Sequence, residues 1–257
     1  MADATHTRTA PPLLDPGCAL FLDVDGTLVD FQVDPAQVRT TPSLREAISR
    51  LSRYLGGALA LVSGRPLEQL DALFQPLRLP AAGLHGHQLR AGAGGVMAQA
   101  HGGAALGAVL DGAARLARAH PGVRVEDKGA ALALHWRANP GAQAAVLDFA
   151  GEHIHALPGH RLQHGDHVVE FVPAGADKGR ALEQLMAQAP FAGRVPVFVG
   201  DDLTDEFGFA AAHRAGGWSV LVGNRPGSQA RHGLADTRAV LDWLLASLPP
   251  SCQAREN

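Results

Sequence analysis

Two aspartates separated by one residue are the first side chains of the chain with an evident chemical use. Asp23 and Asp25 directly follow an apolar run at 18–22. Two anions this close repel each other, so both stay ionised only beside a cation or by sharing a proton. One aspartate could then act as a nucleophile and the other as a proton shuttle beside a metal ion. The alternative is a strand that ends in an ordinary Asx turn.

A second acidic group follows another apolar run. Asp201, Asp202 and Asp205 stand close together in the chain, and burying them together is costly unless a cation is held. Oxygen ligands beside a phosphate favour Mg²⁺. We therefore predict Asp201 as a direct metal ligand, with Asp202 and Asp205 binding directly or through water. Asp23 and Asp25 complete the predicted metal site. The alternative is the acidic first turn of a helix.

A hydroxyl and two cationic side chains could hold a phosphate. Ser63 and Gly64 follow a further apolar run, where a hydroxyl and backbone amides near a helix start could bind phosphate oxygens. Arg65 is a candidate for a second phosphate or sugar contact. Lys178 begins a helix capped by Asp177, so its ammonium could neutralise both a phosphate and the nucleophile. A plain turn and solvated cations are the alternatives.

The elements that must position these groups alternate between strand and helix. Such alternation indicates an α/β fold with a doubly wound parallel sheet. In that fold ligands bind beyond the carboxyl ends of the strands. One site built from three strand ends and a helix-borne lysine implies phosphoryl transfer. Strands are predicted at 18–22, 58–62, 195–199 and 218–222, and helices from 42, at 67–74, from 178 and at 240–248.

The sequence pattern changes between residues 97 and 173. Two strands joined by a glycine favour an antiparallel sheet with helices on one side. We interpret residues 97–173 as a smaller α+β domain inserted into a core formed by residues 1–96 and 174–257. Hinges near 92–95 and 173–175 would let it close over the site as a lid. Its helices are predicted at 104–120 and 141–155, and its strands at 123–128, 131–137 and 166–172.

Polar side chains occupy defined faces of the strands in this inserted part. Glu126 and Lys128 share one face, His135 and Arg137 share a face of the next strand, and Glu170 interrupts an apolar run. Such groups could bind the hydroxyls of a sugar, because an unmatched buried polar group penalises the wrong substrate. The alternative is a solvated sheet face that carries ion pairs.

Several strings resemble one enzyme family in the expected order. The string DVDGTL from Asp23, together with Ser63 and Lys178, resembles the motifs of haloacid dehalogenase-like phosphatases. Four further strings are similar to those of the trehalose-6-phosphate phosphatases within that superfamily. They are VDP at 33–35, GLHG at 83–86, EDKGAALALHWR at 126–137 and VVEFVPAGADKG at 168–179.

This resemblance implies a reaction and a substrate. Asp23 would form an aspartyl-phosphate, Asp25 would protonate the leaving sugar oxygen, and Mg²⁺ would be the cofactor. Trehalose 6-phosphate would be hydrolysed to trehalose and phosphate, the last step of trehalose biosynthesis, in functional coupling to a trehalose-phosphate synthase. Two alternatives remain open: a phosphatase or phosphomutase for another sugar phosphate, and a non-catalytic sensor. The residues implied to bind the sugar are Arg65, His85, Glu126, Lys128, Arg137 and Glu170.

Composition argues against several classes of protein. The 257 residues carry 22 basic and 25 acidic side chains, a formal charge of −3, which predicts no surface for binding nucleic acid. No apolar run approaches the ~20 residues of a membrane helix. The two cysteines lack the spacing of a zinc site or a disulfide framework, and the first 16 residues lack the apolar core of a signal peptide. We therefore expect a cytoplasmic protein that acts on a small sugar phosphate.

Overall fold

The computed structural model describes residues 8–32, 37–92 and 103–250 of the chain, and the backbone of 97–98. These residues form one sheet of eight strands and one of four. The strands are β1 (Cys18–Leu22), β2 (Leu59–Val62), β3 (Ala81–Gly83), β4 (Gln88–Arg90), β5 (Met97–Ala98), β6 (Arg124–Asp127), β7 (Leu132–His135), β8 (His160–Gly165), β9 (Val168–Pro173), β10 (Val195–Gly200), β11 (Trp218–Val222) and β12 (His232–Leu234). The helices are α1 (Pro42–Tyr54), α2 (Leu67–Phe74), α3 (Ala104–Ala119), α4 (Gln143–His153), α5 (Lys178–Met186), α6 (Asp205–Arg214) and α7 (Thr237–Ala246).

The larger sheet has the strand order β12-β11-β10-β1-β2-β3-β4-β5. Its strands from β12 to β3 are parallel, and β4 and β5 continue it in antiparallel pairing. The central strand β1 is buried on both faces. Leu20 and Leu22 pack with α1, α2 and α7, whereas Ala19 and Phe21 pack with α5 and α6. A strand covered on both faces is apolar without alternation, which is why its sequence reads as one continuous run.

The smaller sheet is antiparallel, with the order β6-β7-β9-β8. One face packs against α3 and α4 through a separate apolar cluster that includes Leu134, Val169 and Phe171. On the other side, Lys128 directly after β6 donates to the carbonyl of Gly64, in the loop after β2 of the larger sheet. The smaller sheet therefore covers the edge of the larger one.

The predicted fold class is confirmed: a parallel α/β sheet carries an inserted α+β part. The predicted bounds of β1, β11 and α2 match those observed. The sequence missed β8, whose residues carry no apolar run or alternation, and the two- or three-residue strands β3, β4, β5 and β12. Helix α4 is shorter than predicted because separate 3₁₀ turns flank it.

Two sequence predictions fall largely on residues outside the described ranges. The VDP turn includes Asp34 and Pro35, and the first predicted hinge includes residues 93–95. In the second predicted hinge, Gly175 has a φ of +86°. Across the described part of the chain, each helix is too short or too polar to cross a lipid bilayer.

Candidate active site

Three strand ends and one helix start meet at the carboxyl edge of the larger sheet. Asp23 follows β1, Ser63 follows β2 and Asp201 follows β10. The pairing continues past the strands, since the Asp23 amide donates to the Val199 carbonyl at 3.0 Å. Because these three strands are parallel neighbours, their following residues must lie side by side.

Lys178 lies at the centre of this edge. Its Nζ is 2.8 Å from Oδ1 of Asp23 and 2.6 Å from Oδ1 of Asp205. The first turn of α5 is fixed by Asp177, whose side chain accepts a hydrogen bond from the Arg180 amide at 2.8 Å. Burial alone would lower the pKa of Lys178, but the carboxylates of Asp205 and Asp23 outweigh it and raise that pKa. The ammonium is therefore charged wherever the protein is folded near neutral pH.

Three carboxylates form a cluster with the geometry of a metal site. One oxygen each of Asp23, Asp201 and Asp205 lies within 4.8 Å of the other two. Burial, together with the charge of Asp205, raises the pKa of Asp23 well above its usual range and that of Asp201 to about 7. A hard divalent cation would relieve this repulsion, and an all-oxygen donor set suits such a cation. The residues present therefore fit a divalent metal ion.

Asp205 also organises the loop that carries Asp201. Its Oδ2 accepts hydrogen bonds from the backbone amides of Asp201 and Asp202, at 3.0 and 2.9 Å. The hydroxyl of Thr27 donates to Oδ1 of Asp201 at 3.1 Å. Gly26 has a φ of +84°, and a Cβ on it would lie 2.2 Å from Oδ2 of Asp201. The two acidic loops therefore pack too closely for a side chain at position 26.

The carboxylate of Asp25 lies outside this cluster. It accepts hydrogen bonds from Nε and Nη2 of Arg65, each at 2.7 Å. The sequence places Asp25 among the metal ligands, whereas the structure directs its side chain toward Arg65. Asp202 is not part of the cluster either; it lines the space between the strand ends and the smaller sheet, and burial raises its pKa. Both side chains therefore face the space between the two sheets.

Polar residues of the smaller sheet form ion pairs with residues of the core and with each other. Nε2 of His85 lies 2.5 Å from Oε2 of Glu170, and Lys128 forms an ion pair with the same carboxylate. Lys128 also donates to the carbonyl of Gly64 at 3.1 Å. Burial would raise the pKa of Glu170, but Lys128 and His85 hold it well below its usual range. The side chains of Lys128 and Glu170 are thus buried, ion-paired and directed toward the core.

Two further residues of this face have different partners. Glu126 lies 3.1 Å from Nε2 of His135 and 3.8 Å from the ammonium of Lys128. Arg137 forms an ion pair with Asp166 at 2.7 Å, and its guanidinium carbon lies 4.5 Å from the centroid of the Phe31 ring. Since Phe31 belongs to the core, Arg137 forms a second link between the two parts.

A cavity of about 170 Å³ lies between the strand ends and the smaller sheet, and we call it the catalytic cavity. Every residue predicted for the site lines it except Asp205, which is fully buried. Lys128 and Lys178 are the only lysines of the sequence, and both line this one cavity. The predicted residues in its lining are Asp23, Asp25, Ser63, Gly64, Arg65, His85, Glu126, Lys128, Arg137, Glu170, Lys178, Asp201 and Asp202.

A family model described as trehalose-phosphatase matches residues 21–239, a range that contains the whole site. The chain belongs to the trehalose-phosphatase family. The trehalose-6-phosphate phosphatase of Escherichia coli (strain K12) is 39% identical to it over 261 residues, which cover 98% of this chain and 95% of that protein. A probable trehalose-phosphate phosphatase of Sinorhizobium fredii is 42% identical over 234 residues, covering 90% of this chain and 87% of that protein.

A solved structure extends the likeness to the fold. The C-terminal domain of the trehalose-6-phosphate phosphatase of C. albicans superposes with a TM-score of 0.81 at 19% identity, covering 96% of this chain and 99% of that one. Membership of the trehalose-phosphatase family makes this chain a phosphomonoester hydrolase.

Arg225, in the loop after β11, is a residue of the site that was not predicted from the sequence. Its Nε lies 3.3 Å from the carbonyl oxygen of Asp201, and its Nη2 lies 3.2 Å from that of Asp202. The same guanidinium forms an ion pair with Glu206 in the first turn of α6. Arg225 therefore fixes the backbone of the acidic loop from behind. Residues of the β8–β9 hairpin, such as Gln163 and His167, also line the catalytic cavity without a sequence signal.

Replacing Arg225 with Met is expected to weaken metal binding more than it weakens catalysis. Outer-shell residues that orient metal ligands typically change metal affinity by roughly 10-fold to 100-fold. We expect a loss in that range in a calorimetric titration of metal-free protein, with most of kcat regained at saturating metal. Arg231→Met is the matched control, because Arg231 donates to Gly217 instead of to the acidic loop. Equal metal affinity in the Arg225→Met variant and the wild type would contradict this role.

Proposed function

We propose that the protein is a Mg²⁺-dependent phosphatase that hydrolyses trehalose 6-phosphate to trehalose and phosphate. The observation that carries the proposal is the buried carboxylate of Asp23, 2.8 Å from Lys178 and within the acidic cluster. A carboxylate held beside a cation at a strand end is suited to accept a phosphoryl group. The name of the E. coli relative supports the choice of substrate.

The proposed reaction has two steps. The Asp23 carboxylate forms a bond to phosphorus while the bond from phosphorus to the 6-oxygen of the sugar breaks, and Asp25 gives a proton to that oxygen. Water then attacks the phosphorus of the aspartyl-phosphate and passes a proton to Asp25, which releases phosphate and restores Asp23. The hydrogen bonds from Arg65 orient the Asp25 carboxylate toward the cavity.

The phosphoryl oxygens need positive charge and hydrogen-bond donors. Lys178 at the start of α5, and the Ser63 hydroxyl and the backbone around Gly64 in the loop after β2, supply them, and all three groups line the catalytic cavity. Mg²⁺, when bound, would add positive charge at the same oxygens. We assign the ion to the clustered carboxylates of Asp23, Asp201 and Asp205. Asp25 and Asp202, whose carboxylates lie outside that cluster, would contribute to the metal site indirectly.

Recognition of the sugar is proposed to rest on the smaller sheet together with Arg65 and His85 of the core. We take residues 97–173 as a cap domain and residues 1–96 and 174–257 as the catalytic core. Hydroxyls of the glucose unit remote from the phosphate would take over hydrogen bonds that the ion-paired groups now make with each other. The groups assigned to this role are Arg65, His85, Glu126, Lys128, Arg137 and Glu170.

A panel of sugar phosphates tests the substrate. We expect kcat/KM for trehalose 6-phosphate to exceed that for glucose 6-phosphate by roughly 100-fold, because the monosaccharide leaves buried polar groups of the cap unmatched. Phosphate release is measured with both substrates at several concentrations. Equal efficiency would reject the role of the cap, a phosphate-conserving isomerisation would indicate a mutase, and binding without release would indicate a sensor.

Removal of divalent metal is expected to abolish turnover reversibly. A chelator should bring phosphate release to background, and added Mg²⁺ should restore it. Ca²⁺ should restore much less, because it is larger and prefers more ligands in a less regular geometry. The fold should persist in the chelated protein, since Lys178 already pairs with two of the carboxylates. Full activity in the presence of excess chelator would contradict the metal assignment.

Cytoplasmic location and coupling to a trehalose-phosphate synthase stay predictions from the sequence.

A further inference from the structure

Phe31 lines the catalytic cavity, yet the proposed reaction and the proposed sugar contacts give it no role. It belongs to the core, in the loop that follows β1. Phe31 is 52% exposed, so it adds little to the apolar core. The residue before it is anchored, because Oδ1 of Asp30 accepts a hydrogen bond from the hydroxyl of Thr237 at 2.6 Å. The core therefore presents an aromatic ring at the edge of the catalytic cavity.

The ring of Phe31 contacts Arg137, which lies two residues after β7 of the smaller sheet. The guanidinium carbon of Arg137 lies 4.5 Å from the centroid of the ring. Nη2 of the same guanidinium donates to the carboxylate and to the carbonyl of Asp166, at 2.7 and 3.0 Å. Asp166 lies in the turn between β8 and β9. The guanidinium is thus held by one residue of the core and by one of the smaller sheet.

These contacts leave part of the Arg137 guanidinium able to bind a ligand. Both hydrogen bonds that it makes with described residues use Nη2. The face of an aromatic ring attracts a positive charge without requiring its N–H groups as hydrogen-bond donors. Nε and Nη1 therefore stay available as donors. Because Arg137 lines the catalytic cavity, a sugar hydroxyl in that cavity can accept a hydrogen bond from them.

We propose that Phe31 is a positioning residue, which favours the disaccharide by holding Arg137 in place for the sugar unit remote from the phosphate. This role rests on the proposed function, which assigns Arg137 to that sugar unit. A donor that is already positioned loses less conformational freedom on binding, so the ring increases the affinity for the disaccharide. Phe31 takes no part in the proposed proton and phosphoryl transfers. Its removal should therefore raise KM and leave kcat nearly unchanged.

Phe31→Leu tests this role, because it removes the ring face and keeps an apolar side chain. We expect KM for trehalose 6-phosphate to rise by roughly threefold to tenfold, the range of a partly shielded cation–π contact. The unfolding temperature and KM for glucose 6-phosphate should not change. Phe31→Tyr keeps the ring face and should behave as the wild type does. Phe207→Leu, the same replacement at an exposed phenylalanine outside the cavity, is the matched control.

A double-mutant cycle with Arg137→Met decides whether the ring acts through Arg137. In the Arg137→Met background, Phe31→Leu should raise KM little further, because the two side chains act as one unit. Additive effects of the two replacements would overturn the proposal. So would a wild-type KM in Phe31→Leu, or a Phe31→Tyr variant as impaired as Phe31→Leu.

The wild type separates failure of this role from failure of the proposed function. A wild type without preference for trehalose 6-phosphate over glucose 6-phosphate would reject the proposed substrate, and the role of Phe31 with it. A preference that Phe31→Leu leaves intact would reject the role of Phe31 alone.

Discussion

The Asp23→Asn variant is expected to lose turnover while keeping its fold. An amide cannot accept the phosphoryl group, so phosphate release should fall by about 10⁴-fold or more, the scale seen when a covalent nucleophile is removed. The side chain is almost fully buried beside Lys178, so the substitution removes from this position the one carboxylate that the proposed mechanism uses as nucleophile.

The stability of Asp23→Asn follows from the pKa of the residue it replaces. Burial and the charge of Asp205 raise the pKa of Asp23 well above its usual range, so the ionised form costs stability near neutral pH. Asparagine carries no charge, and we expect the metal-free variant to unfold at a temperature no lower than the wild type. Asp242→Asn, on the exposed side of α7, is the control with full activity. Appreciable turnover in Asp23→Asn would remove the covalent mechanism, and a collapsed fold would contradict the electrostatic argument.

Replacing Lys178 with Met should cost both activity and stability. The ammonium is the shared partner of Asp23 and Asp205, and removing one partner of a buried ion pair typically costs about 3–5 kcal/mol. Methionine keeps the apolar length of the side chain, so the loss reports the charge. We expect phosphate release near background and a lower midpoint in urea. Arg180→Met, an exposed cation in the same helix, should change neither.

The destabilisation of Lys178→Met should depend on pH. Lys178 lowers the raised pKa values of Asp23 and Asp201. Without the ammonium these two pKa values rise further, so the folded variant binds more protons than the unfolded chain. Its stability should therefore fall as pH rises, and its deficit relative to the wild type should be larger at pH 8 than at pH 5. A deficit that is equal at both pH values would show that lost packing, and not lost charge, causes the effect.

The convergence of the catalytic groups could be predicted from the sequence because a parallel sheet constrains it. Asp23, Ser63 and Asp201 each follow an apolar run, and parallel strands bring such positions to one edge. The helix start at Lys178 was predictable for a similar reason, since Asp177 is a standard N-cap. The strand ends and the helix start are positions along the backbone, and local sequence indicates where strands and helices begin and end.

Side-chain direction was harder to predict. The metal role of Asp25 stays a prediction from the sequence, but nothing in the sequence indicates that its carboxylate accepts two hydrogen bonds from Arg65. The contact of Arg225 with the acidic loop likewise depends on two loops from different strands. Strand β8 was not predicted because its residues form neither a continuous apolar run nor an alternation of apolar and polar side chains. Its place is set by pairing with β9, which local sequence does not encode.

For the polar residues of the smaller sheet, ion pairing and sugar binding do not exclude each other. Glu126, Lys128 and Glu170 were compatible with sugar binding or with ion pairing. In the structure the three side chains are ion-paired and line the catalytic cavity, Lys128 and Glu170 almost fully buried and Glu126 partly so. A buried network of this kind is a suitable recognition surface, because a sugar hydroxyl must replace each hydrogen bond that it displaces.

The most direct test of the account is to detect the phosphoryl group on Asp23. The Asp25→Asn variant lacks both the general acid for the leaving oxygen and the group that activates water, so both steps should be slow and the aspartyl-phosphate, once formed, should persist. The variant is mixed with Mg²⁺ and trehalose 6-phosphate labelled in the phosphate, quenched with acid, and digested for peptide mapping. We predict a hydroxylamine-sensitive label on the peptide that contains Asp23, and its absence in Asp23→Asn/Asp25→Asn. A label on another residue, or wild-type turnover by a variant that lacks Asp23, would contradict the account.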